Sequence, residues 1–431
     1  MHTTTPARPA PTVAPAAMLT AMITTALVAA ACTTDTGGET TASTPAGSDL
    51  AVGAGATEVD GPQPRLAVTD AHSGTVAVLD LTSGEELESL TFDNPTKVTM
   101  VDDRYAFAID GPGGHAHVVD LGTWTVDHGD HTHSYVAEPG EIGTLDGAKP
   151  AHVVPGDGKV AVFFDGDGAA QVVDVAALDD GEVRTTTVHA DGPHHGVIAP
   201  VSGHFVTSRP SGTPDDTHPG SFELRDAAGT PVSAFDDACP RMHGEAVFDD
   251  HMLGACDDGV FVAHVGADGW TSEKIAYPDG ITTASRPTTF REQPGVPTVV
   301  ATAGPAATND GVLVLDSTTR QWQHIHTPDR ALAAHLSGDG RIVFAVLADG
   351  TFRTYDAATG AETAAAPVLA EPYDWSDTSA VPPVIAVAGK RAYVSDPASH
   401  VVHEIDFADN ARIARTLDVG TAVSSLGVAG L

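Results

Sequence analysis

From residue 65 onward the chain repeats itself every 41 to 54 residues, with an average near 46. Each unit has a short first segment and a tight turn. An apolar strand ending in Asp-Gly or a similar pair follows, and then a strand ending in Asp and a Gly turn. First segments fall near Val98, His152, His195, His243, Thr288, His335, Pro382 and Val423. The runs between turns are short and β-branched or alternating, as in Arg65 to Thr69, Lys159 to Phe164, Ala170 to Val175 and Arg341 to Val346, and helical periodicity is scarce. The chain therefore reads as all-β. A period in the forties with about four short strands per unit marks the blades of a β-propeller. Eight first segments imply eight blades. The last unit reaches Leu431 after one strand, and residues 65 to 91 can supply the three it lacks, closing the ring by pairing the two ends of the chain. Seven blades remain compatible with the loose boundaries of pattern reading.

The first 61 residues stand outside this repeat. Arg8 precedes an apolar run from Ala16 to Ala31 that is rich in small residues and ends in Val28-Ala29-Ala30-Ala31-Cys32. This string resembles the bacterial lipobox, whose cysteine is lipidated and becomes the first mature residue. Residues 1–31 are expected to be a signal peptide, and Cys32 the lipid anchor on the outer face of the cell membrane; an ordinary cleaved secretion signal is the alternative. From Thr33 to Gly61 the chain is Thr, Gly, Ser, Ala, Asp and Glu with almost no large apolar side chain. Such a segment buries too little surface to offset its ordering entropy, so a flexible tether is expected over 32–61 and the folded metal-binding domain over 62–431.

With 21 Lys and Arg against 58 Asp and Glu, the formal charge is −37. Nucleic acid is excluded as a partner, because phosphate backbones are held by clustered cations. Beyond Cys32 only Cys239 and Cys256 remain, 17 positions apart. Outside the cell two lone thiols are expected to pair, and the spacing lacks the CxxC of thiolate zinc sites.

The 21 histidines are the chemically informative residues. Asp127-His128-Gly129-Asp130-His131-Thr132-His133 packs three imidazoles and two carboxylates into seven positions, in a long connection between the first unit and the strand near Ala151. These are the N and O donors Zn²⁺ accepts, although turn-rich hydrophilic loops share part of that composition. His152, the pair His194 and His195, and His243 occupy the same place in consecutive units. The first strand of a propeller blade lines the channel, so these side chains should meet at its mouth on one face. His335 holds the equivalent place two units further on. The loop of His128, His131 and His133 is expected to emerge on that same face and fold over the mouth. Asp130 or Glu245 would ligate directly or orient an imidazole. His115 and His117, and likewise His324 and His326, have the i, i+2 spacing that shares one face of a strand, which suits chelation and ordinary surface placement equally.

Taken in order, Asp127-His-Gly-Asp-His131, Lys149-Pro-Ala-His-Val-Val154 with Val162-Phe-Phe-Asp-Gly-Asp-Gly168, Pro193-His-His-Gly-Val197, and Cys239-Pro-Arg-Met-His-Gly-Glu245 with Cys256 resemble the AztD-like family of extracytoplasmic zinc metallochaperones. The likeness is densest from about 120 to 260. It implies a β-propeller that holds zinc and passes it to the solute-binding protein of a zinc ABC importer, with metal roles for the histidines of the matching strings. The lipobox-like string departs from the soluble periplasmic pattern of that family, and the tether contains no histidine.

The expected function is therefore zinc binding and delivery by a monomer anchored outside the cell. A metal-dependent propeller hydrolase or oxidoreductase is the alternative, because Glu245 beside His243 could act as a base toward metal-bound water. Copper is the rival metal, since His sites take Cu²⁺ more tightly than Zn²⁺.

Overall fold

The computed structural model describes residues 55–431 apart from residue 214. The apolar run, Cys32 and most of the tether lie outside the described residues. Within them are eight four-stranded sheets and one three-stranded sheet, and helix is limited to the single turn Val175–Leu178.

Strands follow one another in chain order within a sheet, as in Pro150–Gly156, Lys159–Phe164, Ala169–Asp174 and Thr185–His189. The second strand is buried on both faces and reads as a continuous apolar run; Val160 to Phe164 are all buried. The fourth strand alternates instead, as in Arg412–Asp418, because only one of its faces meets a neighbour. The strand Val423–Ala429 pairs antiparallel with Arg65–Asp70, with Leu66 opposite Val428, and Gly74–Asp80 and Glu86–Phe92 complete that sheet.

The apolar core lies between sheets. Val101, Phe107 and Val118 of one sheet pack with Val160, Val162 and Phe164 of the next. The same contact recurs sheet by sheet along the chain. The sheet made from both chain ends packs through Leu66 and Val68 against Tyr393 and Val402, and through Ala67 and Val78 against Ala106 and Val119. Face-to-face burial of successive sheets is the packing of a β-propeller.

One sheet carries an insertion. Between its third strand, His115–Asp120, and its fourth, Gly140–Asp146, the chain forms the hairpin Thr123–Asp127 and Thr132–Val136. The strand Thr57–Val59 adds to the free edge of this hairpin, with Thr57 opposite Val136. This strand lies inside the segment read as tether. Edge pairing uses backbone groups, so a polar composition neither predicts nor prevents it. Arg65 Nη1 donates to the carbonyl of Ala137 at 2.8 Å and fixes the neck of the insertion.

Candidate metal centre

Three successive sheets present a histidine at the start of their first strand. His152 lies on Pro150–Gly156, where the register shifts between Pro150 and His152; such a bulge re-aims a side chain. His195 precedes Ile198–Val201, and His243 precedes Glu245–Val247. Each of the last two is followed by a glycine, for steric reasons. A Cβ on Gly196 would lie 2.3 Å from His194 Nε2. Gly244 has φ +98°, and a Cβ there would meet the backbone of Thr288 at 2.8 Å, where a side chain cannot be accommodated.

One ligand atom from each of His152, His195 and His243 lies within 4.8 Å of the others. In every case Nδ1 is already engaged. It meets Glu245 Oε1 at 2.9 Å in His152, Asp165 Oδ2 at 2.7 Å in His195, and the Thr288 carbonyl at 2.7 Å in His243. Acceptors at all three Nδ1 atoms place the proton there and leave Nε2 with a lone pair. The Nε2 atoms of His152 and His195 are 3.3 Å apart, close to the edge of about 3.4 Å that bonds of 2.0–2.1 Å give a tetrahedral zinc. Among the described residues, the Oδ1 atom of Asp165 finds no hydrogen-bond partner, although it is buried. Imidazoles oriented through Nδ1 by two carboxylates and a backbone carbonyl, with a buried unpaired Asp165 oxygen beside them, suit a divalent cation.

Burial opposes a charge on His152, but the Glu245 carboxylate more than offsets it, and the imidazole pKa is raised. Burial likewise works against the Glu245 carboxylate, and His152 overcomes it and lowers that pKa. His243 is lowered by burial and by the two neighbouring histidines. Glu245 is thus committed to orienting His152 rather than serving as a free base.

His218 was not singled out by the sequence. Its ring lies 6.2 Å from that of His195 and 6.5 Å from that of His243. Its Nδ1 is held by Asp216 Oδ1 at 2.9 Å, and the Thr217 carbonyl accepts from the His195 amide at 2.7 Å. The only sequence signal is His218 itself, flanked by Thr217 and Pro219.

His194 does not join the group. It is 4 % exposed, and its ring nitrogens meet the Gly192 carbonyl and Ser208 Oγ, each at 2.8 Å. Both positions are taken by the protein, so His194 holds the loop together. His335 is also apart: burial and Arg291 lower its pKa to about 4, and its Nδ1 accepts from the Leu336 amide at 2.9 Å.

His128, His131 and His133 converge as a second group, again with ligand atoms within 4.8 Å. The hairpin brings them together, with the His128 amide donating to the His131 carbonyl at 2.9 Å. Asp130 takes His131 Nδ1 at 2.7 Å and Glu58 takes His133 Nδ1 at 2.6 Å. Asp130 therefore orients an imidazole. The expected position over the central group does not hold. The hairpin leaves its sheet where Asp120 pairs with Gly140, whereas the chain continues to His152 from the other end, where His115 pairs with Asp146. Seven residues of strand, about 20 Å, separate those ends. Cys239 and Cys256 form a disulfide with Cα atoms 5.0 Å apart, and the loop it closes carries His243 and Glu245.

No family model matches the chain. It is 28 % identical over 355 residues to the zinc chaperone AztD of Citrobacter koseri, covering 79 % of this chain and 81 % of that protein. The crystal structure of Citrobacter koseri AztD superposes with a TM-score of 0.77 at 26 % identity, covering 86 % of this chain and 98 % of that one. The apo form of AztD from the same organism gives 0.77 at 25 % identity, with 86 % and 99 % covered. The dihydro-heme d1 dehydrogenase NirN, at 13 % identity and a TM-score of 0.55, shares the fold alone. The resemblance read from the local strings is therefore present across the sequence and the structure, and the relative is named as a chaperone rather than an enzyme.

Proposed function

We propose that this AztD-like protein is a zinc metallochaperone that holds Zn²⁺ between His152, His195 and His243 and delivers it to the solute-binding protein of a zinc ABC importer. The observation that carries the reading is the engagement of all three Nδ1 atoms, which leaves the Nε2 atoms to converge. Three protein donors leave a zinc coordination position open. A carrier uses such a position to let an acceptor ligand enter before a donor ligand leaves. His218, held beside the group by Asp216, is our candidate for the donor that fills it in the resting carrier. The exposed hairpin of His128, His131 and His133 is a second holding point that a partner can reach.

The architecture that serves this reading is an eight-bladed ring. The eight four-stranded sheets, the pairing of Arg65–Asp70 with Val423–Ala429, and apolar clusters on both sides of that mixed sheet support it. We place the protein outside the cytoplasm, anchored through Cys32, on the strength of the lipobox-like string and the disulfide.

The test is direct transfer. The zinc-loaded protein is mixed with a zinc-free solute-binding protein of a zinc importer, in the presence of a chelator that captures free Zn²⁺ quickly. Zinc should reach the acceptor while the chelator stays empty. Appearance of all the zinc on the chelator first would overturn delivery and leave only storage.

A further inference from the structure

We propose that Asp310, His324 and His326 form a separate site for a d-block divalent cation such as Zn²⁺. It lies at the rim of the sheet holding Gly311–Asp316 and Gln321–His326. His324 and His326 are two positions apart on one strand and share a face. The neighbouring strand sets Gly311 opposite His326, so Asp310, one residue earlier, stands beyond the end of that pair and beside both rings. Its Oδ1 lies 3.0 Å from His324 Nε2 and its Oδ2 lies 3.5 Å from His326 Nδ1. The ring centroids are 4.0 Å apart, and the three ligand atoms fall within 4.8 Å of one another. Among the described residues, the only ion-pair partners of Asp310 are these two histidines.

Spacing alone does not produce such a site, as the other i, i+2 pair demonstrates. His115 and His117 lie on the strand His115–Asp120, but each takes its own carboxylate, Asp146 and Glu141, and Phe92 stacks on His117 at 3.8 Å. Their ring centroids are 5.7 Å apart. One carboxylate facing both rings distinguishes the 310–326 group. Two imidazoles and a carboxylate on one side of an ion leave its remaining positions to water, a donor set suited to Zn²⁺, Cu²⁺ or Ni²⁺ rather than Mg²⁺. The side chains of His326 and Asp310 are 70 % and 64 % exposed, so a bound ion would exchange freely with solvent. The site lies at one end of the third and fourth strands of its sheet and shares no residue with the central group.

Carbethoxylation of individual histidines, read by mass spectrometry on the full chain with and without Zn²⁺, tests this. Saturating Zn²⁺ should slow labelling of His324 and His326 several-fold, and Mg²⁺ should not. Asp310→Asn should remove that protection while His195 stays protected, and the exposed variant His326→Gln should lower zinc stoichiometry by one equivalent. Labelling at 324 and 326 that ignores Zn²⁺, protection that survives Asp310→Asn, or unchanged stoichiometry in His326→Gln would each overturn the proposal. None of these readouts depends on delivery to a partner.

Discussion

The central histidines and the hairpin histidines have the same composition and nearly the same spread, yet they are built in opposite ways. His152, His195 and His243 come from three sheets and are positioned by the packing of those sheets on one another. His128, His131 and His133 come from one turn and are positioned by a local backbone bond and two exposed carboxylates. In the first group each Nδ1 has a protein acceptor, and the His152–Glu245 pair is only 14 % and 16 % exposed. In the second, His131 and Asp130 are 56 % and 86 % exposed. Packing of three sheets holds the donors of the central group before zinc arrives, whereas the hairpin's converged donors are held only by exposed partners. Pre-organisation lowers the ordering cost of binding. The central group should therefore bind tightly and the hairpin weakly, with faster exchange.

The largest expected effect follows directly. His195→Ala should lower zinc affinity by more than the tenfold to hundredfold that loss of an outer-sphere partner costs, because it removes a donor. His131→Ala should leave the tight equivalent in place and weaken only a second, looser one. Competition titration against a chelator of known affinity separates the two. Equal losses from both substitutions would show that the groups are not the two classes of site described here.

A smaller effect is expected one layer out. Asp165→Asn and Glu245→Gln keep the shape of the acceptors but lose their charge, and each should cost about tenfold to hundredfold in zinc affinity. The corresponding change in the hairpin, Glu58→Gln, should cost much less, because a solvent-exposed pair is worth little. Titrating the three variants side by side tests whether orientation through Nδ1 matters at the centre. Wild-type affinity in Asp165→Asn and Glu245→Gln would show that it does not.

Much of this arrangement could be read from the chain, and the parts that could not share a physical reason. The repeat made His152, His195 and His243 equivalent, because a blade places the start of its first strand at the same point in every unit. Their partners were less visible. Asp165 follows the second strand of the preceding sheet, 30 residues before His195, and the Thr288 carbonyl is backbone, which leaves no trace in side-chain chemistry. His194 reads as a ligand through adjacency to His195, but residues 191–195 form a bend that turns its ring onto the Gly192 carbonyl and Ser208 instead. The hairpin lies at the other end of its sheet from the one its composition suggests, because strand direction rather than histidine content decides where an insertion emerges. An insertion after an odd number of antiparallel strands must leave from the end opposite to where the first one began. The strand Thr57–Val59 was hidden because edge pairing selects backbone geometry, not composition.

The smallest effect concerns protons and again separates the two groups. Because Glu245 raises the His152 pKa above its ordinary 6.5, the metal-free centre carries a proton there over a window that begins near neutral pH and extends upward. Zinc must displace it. His243 is shifted the other way and contributes no proton in that window. Affinity at the centre should therefore climb with pH by about tenfold per unit, one proton per zinc, and level off once pH passes the raised His152 value. Glu245→Gln should move the rise to lower pH by removing the carboxylate that holds the proton. Calorimetry in buffers of differing ionisation enthalpy counts the released protons directly. A wild-type centre that releases no proton to zinc just above pH 6.5 would mean that the His152 imidazole is already uncharged there, and that its short contact with Glu245 orients the ring without charging it.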